Sequence, residues 1–198
     1  MLRVIERALW LLAAAALVTV ALAAGEAWLY QSYYNWEFTQ ALSALPRAPA
    51  SGIPAAVAAR DAKVSQGQPL GRLDIPSINF SNMFLEGVDS STLRRGVGHI
   101  PETAFPGAAG NVALSAHRDT FFRGLRKIRI NDPIVVTTLR GTFHYVVEST
   151  AIVNSDETVV LRDIGRPTLT LITCYPFYYV GPAPKRFVVH AALVADTP

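Results

Sequence analysis

An all-β domain, closed or nearly closed into a barrel and carried behind one N-terminal membrane-spanning helix, is the fold class this sequence predicts. Three observations predict it. Residues 8–25 are 18 consecutive uncharged positions rich in Ala, Leu and Val. Beyond residue 69 the apolar residues fall in short runs separated by Pro, Gly, Asn and Asp, the punctuation of strands. A single segment, 121–128, spaces its apolar residues at a helical period. Many short strands with one small helix close on themselves most readily, because closure leaves no sheet edge unpaired.

At about 1.5 Å rise per residue, the uncharged stretch spans roughly 27 Å, close to the hydrocarbon thickness of a bilayer. Arg3 and Arg7 precede it and Glu26 follows it. The positive-inside rule then puts residues 1–7 in the cytoplasm as a short tail, residues 8–25 in the membrane, and everything after Gly25 outside. Trp28, Tyr30, Tyr33, Tyr34, Trp36 and Phe38 crowd behind the span, where amphipathic rings sit at headgroup level. The competing reading is a cleaved signal peptide, for which Ala21-Leu22-Ala23 has the small-x-small form. An h-region of 7 to 15 residues is shorter than this run, which favours a retained anchor.

Residues 26–69 read as a juxtamembrane segment and linker. From Phe38 to Gln68 the composition turns to Ala, Pro, Ser and Gln, with Pro46, Pro49 and Pro54 and no apolar periodicity, and the spacing allows one short helix around 55–63. Residues 70–195, about 125 residues, are a normal size for one domain with its own core.

The strand signals follow in order. Leu73-Asp74-Ile75 stops at Pro76, and 111–115 follows the Pro106-Gly107 turn. Segments 134–139 and 142–147 flank Arg140-Gly141 as a hairpin, and 169–173 and 187–193 are two further apolar strands. In 121–128 the apolar positions 121, 122, 125 and 128 fit a helix, with Arg118, Arg123, Arg126, Lys127 and Arg129 read as its solvated face.

Over residues 70–198 there are 13 basic and 11 acidic side chains, so the outer domain is nearly neutral. With no nucleic-acid-binding motif and an export segment in front, nucleic-acid binding is excluded. No Cys/His cluster or ordered set of carboxylates suggests a metal, and no motif suggests a cofactor.

Cys174 is the only cysteine, at the end of the apolar run 168–173. In an extracytoplasmic domain it has no internal disulfide partner, so it is a free thiol. A free thiol of pKa about 8.5 needs a base beside it to act as a nucleophile at neutral pH. Of the four histidines, His144 and His190 lie within strand patterns, and His99 is either structural or lines a groove. His117 ends an apolar strand, as Cys174 does, and opens the loop Arg118-Asp119-Thr120. Cleavage of an acyl bond by a thiolate also requires a fixed donor for the developing oxyanion. Arg186 begins a returning strand 12 residues after Cys174, behind a loop stiffened by Pro182 and Pro184, and its guanidinium keeps its protons. His117-Arg118-Asp119 also matches the kinase catalytic-loop triplet, but that loop needs Asn five residues after the Asp and residue 124 is Gly.

With these residues assembled, the chain resembles a known family. Thr168-Leu169-Thr170-Leu171-Ile172-Thr173-Cys174 looks like the TLxTC strand of the sortases. Ser115-Ala116-His117-Arg118-Asp119-Thr120-Phe121-Phe122 looks like their histidine segment, and Lys185-Arg186-Phe187-Val188-Val189 like their arginine strand. The resemblance runs from about Leu70 to Leu193. Cys174-Tyr175-Pro176-Phe177 and the downstream 180–184 are most similar to class D members, and Ser115 departs from the Gly found in many relatives. The resemblance implies an eight-stranded barrel and a membrane-bound cysteine transpeptidase without cofactor. Such an enzyme takes secreted proteins bearing a C-terminal LPxTG-like sorting signal, cleaves after the Thr, and passes the acyl group to an amine of the cell wall or of another protein. It implies Cys174 as nucleophile, His117 as acid/base partner, Arg186 as oxyanion or substrate donor, and Ala116, Thr173 and Tyr175 as residues lining the peptide groove. Two other readings of the same residues stay open: a thiol peptidase with water as acceptor, and a membrane-tethered β-domain without catalysis.

Overall fold

The computed structural model describes residues 1–45 and 64–194. The helix expected around 55–63 lies outside the described residues. Eight strands are present: β1 (Pro69–Ile75), β2 (Phe80–Glu86), β3 (Val97–His99), β4 (Asn111–Ser115), β5 (Pro133–Thr138), β6 (Gly141–Asn154), β7 (Thr168–Tyr175) and β8 (Lys185–Leu193). They form a closed barrel in the order β1-β2-β3-β4-β7-β8-β6-β5, with β5 pairing back onto β1. The pairs β2–β3 and β4–β7 are parallel and the other six are antiparallel.

The interior is filled by alternate side chains of these strands. Leu73, Phe84, Leu114, Ile134, Leu169 and Leu171 are fully buried there, each stabilising the fold by about 1.5–3 kcal/mol relative to exposure. Phe122 and Leu125 join the same cluster from the segment 121–127. That segment is a 3-10 helix (Phe121–Lys127) rather than the α-helix its periodicity predicts. The physical reason is visible in the spacing: Phe122, Leu125 and Ile128 are buried at intervals of three, which eclipse on a 3-10 helix and drift on an α-helix. The basic residues around it are not all solvated either, since Arg118 is only 6% exposed.

Among the described residues two strands, one α-helix and the 3-10 turns Pro76–Ile78 and Thr158–Leu161 lie outside the sequence expectation. β2 carries Ser81-Asn82 in its first half, which breaks the apolar alternation, and β3 is three residues with Gly96 before it and Gly98 at its centre. The short helix Ser90–Arg95 is capped by Asp89, whose carboxylate accepts from the backbone N–H of Ser91 and Thr92.

The N-terminal helix α1 runs from Leu2 to Ala44, so it continues through the juxtamembrane residues without a break. Its first part is long and apolar enough to cross a membrane. Its second part docks on the barrel. Ala27, Tyr30, Gln31, Tyr34 and Phe38 share one face at three- and four-residue spacing and are half-buried or buried, whereas Trp28, Tyr33 and Trp36 stay exposed. The aromatic residues therefore divide between a docking face and an outer face. At the centre of the docked face Gln31 uses its amide as a surrogate strand: Met83 N–H donates to Oε1 (2.7 Å), and Nε2 donates to Met83 O (3.3 Å) and Arg95 O (2.7 Å). Gly96 makes this approach possible, because a Cβ there would lie 2.7 Å from Gln31 Nε2 and 2.8 Å from Met83 O. Arg95 adds an ion pair to Glu26 at 3.1 Å and covers the Tyr30 ring at 5.5 Å.

Candidate active site

The parallel pairing of β4 with β7 decides where the chemistry-bearing residues meet. Parallel neighbours run the same way, so their C-terminal ends fall at the same rim of the barrel. The register Ser115↔Ile172 brings the two residues after Ser115 alongside Thr173 and Cys174. Two bonds hold that junction: Ala116 N–H to Ile172 O at 3.2 Å, and Thr173 Oγ1 donating to Ala116 O at 2.8 Å. On the other side of β7 the antiparallel β8 starts at the same rim, and Cys174 is the direct register partner of Arg186. Directly opposed residues of an antiparallel pair put their side chains on one face, with Cβ atoms about 4.5–5.5 Å apart. Cys174 thus sits on the middle strand of three, with the β4 end that leads to His117 on one side and Arg186 on the other.

His117 has a fixed backbone and an exposed side chain. Its carbonyl accepts from the N–H of Phe122 at 3.1 Å, and Phe122 is fully buried, so the core anchors the residue from behind. Cys174 is half-buried and is a free thiol. Arg186 is half-buried, and its Nη1 donates to Ala183 O at 3.2 Å and Lys185 O at 3.0 Å. Among the described residues its Nη2 and Nε make no hydrogen bond.

The three residues expected to line a groove are placed differently from one another. Thr173 and Ala116 are 2% and 4% exposed, and what they contribute is the hydroxyl-to-carbonyl bond under the site. Tyr175 is half-buried, its ring edge-on to Phe177 at 6.0 Å, and Phe177 in turn meets Phe187 at 5.3 Å. This aromatic row follows the β7–β8 loop past the thiol.

The remaining histidines lie elsewhere. His99 is buried, with Nδ1 2.8 Å from Glu86 Oε2, Nε2 3.0 Å from Ala104 O, and its ring stacked on Phe105 at 4.8 Å, a structural position. His190 pairs with Thr170 at 3.1 Å in mid-strand, and burial pushes its pKa down. His144 is exposed on β6.

Sequence reasoning missed Arg118, which follows His117. Its Nε and Nη2 make a fork with Asp119 Oδ1 and Oδ2, both at 2.9 Å. Its Nη1 donates to Pro176 O at 2.7 Å and its Nη2 to Tyr179 O at 2.8 Å. The hydrogen bonds from Arg118 hold the Asp119 carboxyl below the usual carboxylate range. The signal in the sequence was weak: an Arg-Asp pair at a strand end, read as surface charge.

A closed barrel carrying a free thiol at its rim, between a histidine-bearing strand end and an arginine strand, defines a β-barrel cysteine enzyme. The sequence profile of the Sortase domain matches residues 73–194. The chain is 38% identical to sortase D of Bacillus subtilis (strain 168) over 133 residues, 67% of either protein. It is 34% identical to sortase SrtE1 of Streptomyces coelicolor over 151 residues, 67% of this chain and 42% of that one. In three dimensions it is similar to a Clostridium perfringens sortase D5 transpeptidase (TM-score 0.67, 23% identity, 86% of this chain and 99% of that one), a likeness of fold. It is also similar to sortase C from Clostridium perfringens SM101 (TM-score 0.61, 28% identity, 67% and 73%). The chain belongs to the sortase family of cysteine transpeptidases.

Proposed function

We propose that Cys174 is the nucleophile of this transpeptidase, His117 its acid/base partner and Arg186 the donor to the substrate carbonyl and oxyanion. The observation that carries the reading is the register: Cys174 lies directly opposite Arg186 on β8, and its other neighbour is the β4 end that leads to His117. The Cys174 thiolate attacks the scissile carbonyl of a sorting signal, and protonated His117 gives its proton to the departing amine. The bond formed is a thioester and the bond broken is the peptide C–N. An incoming amine, deprotonated by His117, then attacks the thioester and releases Cys174. Nη2 and Nε of Arg186 face the oxygen that becomes negative at both stages. Tyr175 and the loop after it border the peptide, while Ala116 and Thr173 support the floor.

The substrate class is a secreted protein with a C-terminal LPxTG-like signal, and the acceptor is an amine of the cell wall or of another protein. Residues 1–7 are the cytoplasmic tail, 8–25 the single span, and the barrel is extracytoplasmic, as Arg3 and Arg7 before the span favour.

Incubation with an LPxTG-like peptide tests the assignment by intact-mass measurement. A thioacyl adduct is expected on the wild-type chain and none on Cys174→Ala. An alanine variant that cleaves at the wild-type rate would sink the reading. Product analysis with added amine separates acceptors: hydrolysis alone at saturating amine would make the protein a thiol peptidase.

A further inference from the structure

We propose that Arg118 is a positioning residue of this site, holding the β7–β8 loop beside Cys174 by bonding two of its carbonyl oxygens. The inference rests on Cys174 being the nucleophile. Pro176 and Tyr179 are two and five residues beyond Cys174, and their carbonyls are bound by one guanidinium at 2.7 and 2.8 Å. That guanidinium is 6% exposed and projects from the residue next to His117. It therefore ties the histidine segment directly to the loop that follows the cysteine.

Four bonds from one rigid fork fix both distance and orientation. Asp119 completes the arrangement by holding the guanidinium plane and balancing its charge, so burial does not leave a lone cation. Elsewhere in the loop, Phe177 packs between Tyr175 and Phe187, and Arg186 Nη1 bonds Ala183 O. Tyr178 and Val180 are 74% and 100% exposed, and Arg126 lies over the Tyr178 ring at 5.3 Å. The guanidinium is also close enough to interact electrostatically with Cys174. Position and charge can therefore be told apart by Arg118→Lys, which keeps the charge and loses the fork.

The test combines hydrogen–deuterium exchange on the full chain in detergent with peptide kinetics well below the melting temperature. In Arg118→Met the amides of residues 177–181 should exchange at least about 10-fold faster while β7 amides are unchanged. kcat/KM for an LPxTG-like peptide should fall about 10- to 100-fold, because small misplacements near reacting groups have effects of that size. Arg118→Lys should not restore either quantity. Should Arg118→Met fail to fold, Arg118→Lys against wild type carries the same comparison. Unchanged loop exchange, or faster exchange with wild-type kcat and KM, overturns the proposal, and full rescue by lysine assigns the effect to charge instead. If the wild-type chain cleaves no peptide, it is the proposed function that fails. In that case, the alkylation rate of Cys174 by a small neutral reagent replaces kcat/KM, and an unchanged rate in Arg118→Met overturns the positioning role.

Discussion

At the residue scale, the proposed roles of Arg186 and Arg118 call for donors of fixed geometry rather than for charge alone. Arg186 has Nη1 committed to the carbonyls of Ala183 and Lys185, and it stands directly opposite Cys174 in the β7–β8 register. Lysine would supply one ammonium on a flexible stem and none of the fork. Arg186→Lys is therefore expected to lower kcat for sorting-signal cleavage by about 10²- to 10³-fold, the cost of losing an oxyanion donor. Steady-state kinetics at fixed pH check this, and near-wild-type kcat would remove Arg186 from that role. His117, Cys174 and Arg186 were legible as candidates because each stands at a strand end, where a sequence pattern changes abruptly. Arg118 was not legible, because burial of a guanidinium depends on carbonyls 58 and 61 residues away in the chain, which no local pattern reports. Thr173 was legible only as a neighbour of the thiol, and its inward hydroxyl bond to Ala116 depends on the β4–β7 register.

At the element scale, the long apolar strands announced themselves and the short ones did not. β4 is four buried residues and one half-buried, readable as a core strand, whereas β3 owes its existence to the partners on either side of it. β2 is the more informative case. It pairs with β3 only over Phe84, Leu85 and Glu86, and just before that point its backbone is covered by Gln31 of α1. A helix side chain thus completes a strand pairing, an arrangement invisible to the period-2 and period-3.6 patterns that define strands and helices separately. Gln31→Leu preserves bulk and leaves Met83 N–H, Met83 O and Arg95 O without that partner. An unsatisfied buried polar group costs about 1–3 kcal/mol, so the variant should melt several degrees lower and the Met83 amide should exchange faster. A wild-type exchange rate at Met83 would show that α1 does not hold this edge.

At the scale of the whole molecule, helix and barrel form a unit, because α1 leaves the apolar span at Gly25 and meets Arg95 through Glu26, the next residue. The barrel's own stability should then be read in pH. Three groups point the same way. The Asp119 and Glu148 carboxyls are held low by Arg118 and Arg166, so each contributes stability present above its unfolded pKa and lost as pH falls into the carboxylate range. Both are well exposed, which screens their contributions. His190 acts higher. Burial lowers its pKa from 6.5, with Glu148 opposing the shift, so below pH 6.5 the unfolded chain binds a proton that the folded barrel resists. Stability should be full above pH 6.5 and decline as pH drops beneath it, before the carboxylates begin to protonate. His190→Gln retains a hydrogen-bonding partner for the Thr170 hydroxyl and cannot take up that proton. Thermal melts of the wild-type and variant proteins from pH 7.5 to 3 should diverge in slope just below 6.5 and run parallel through the carboxylate range. Parallel curves throughout would mean that His190 is protonated in the folded barrel as readily as in the unfolded chain.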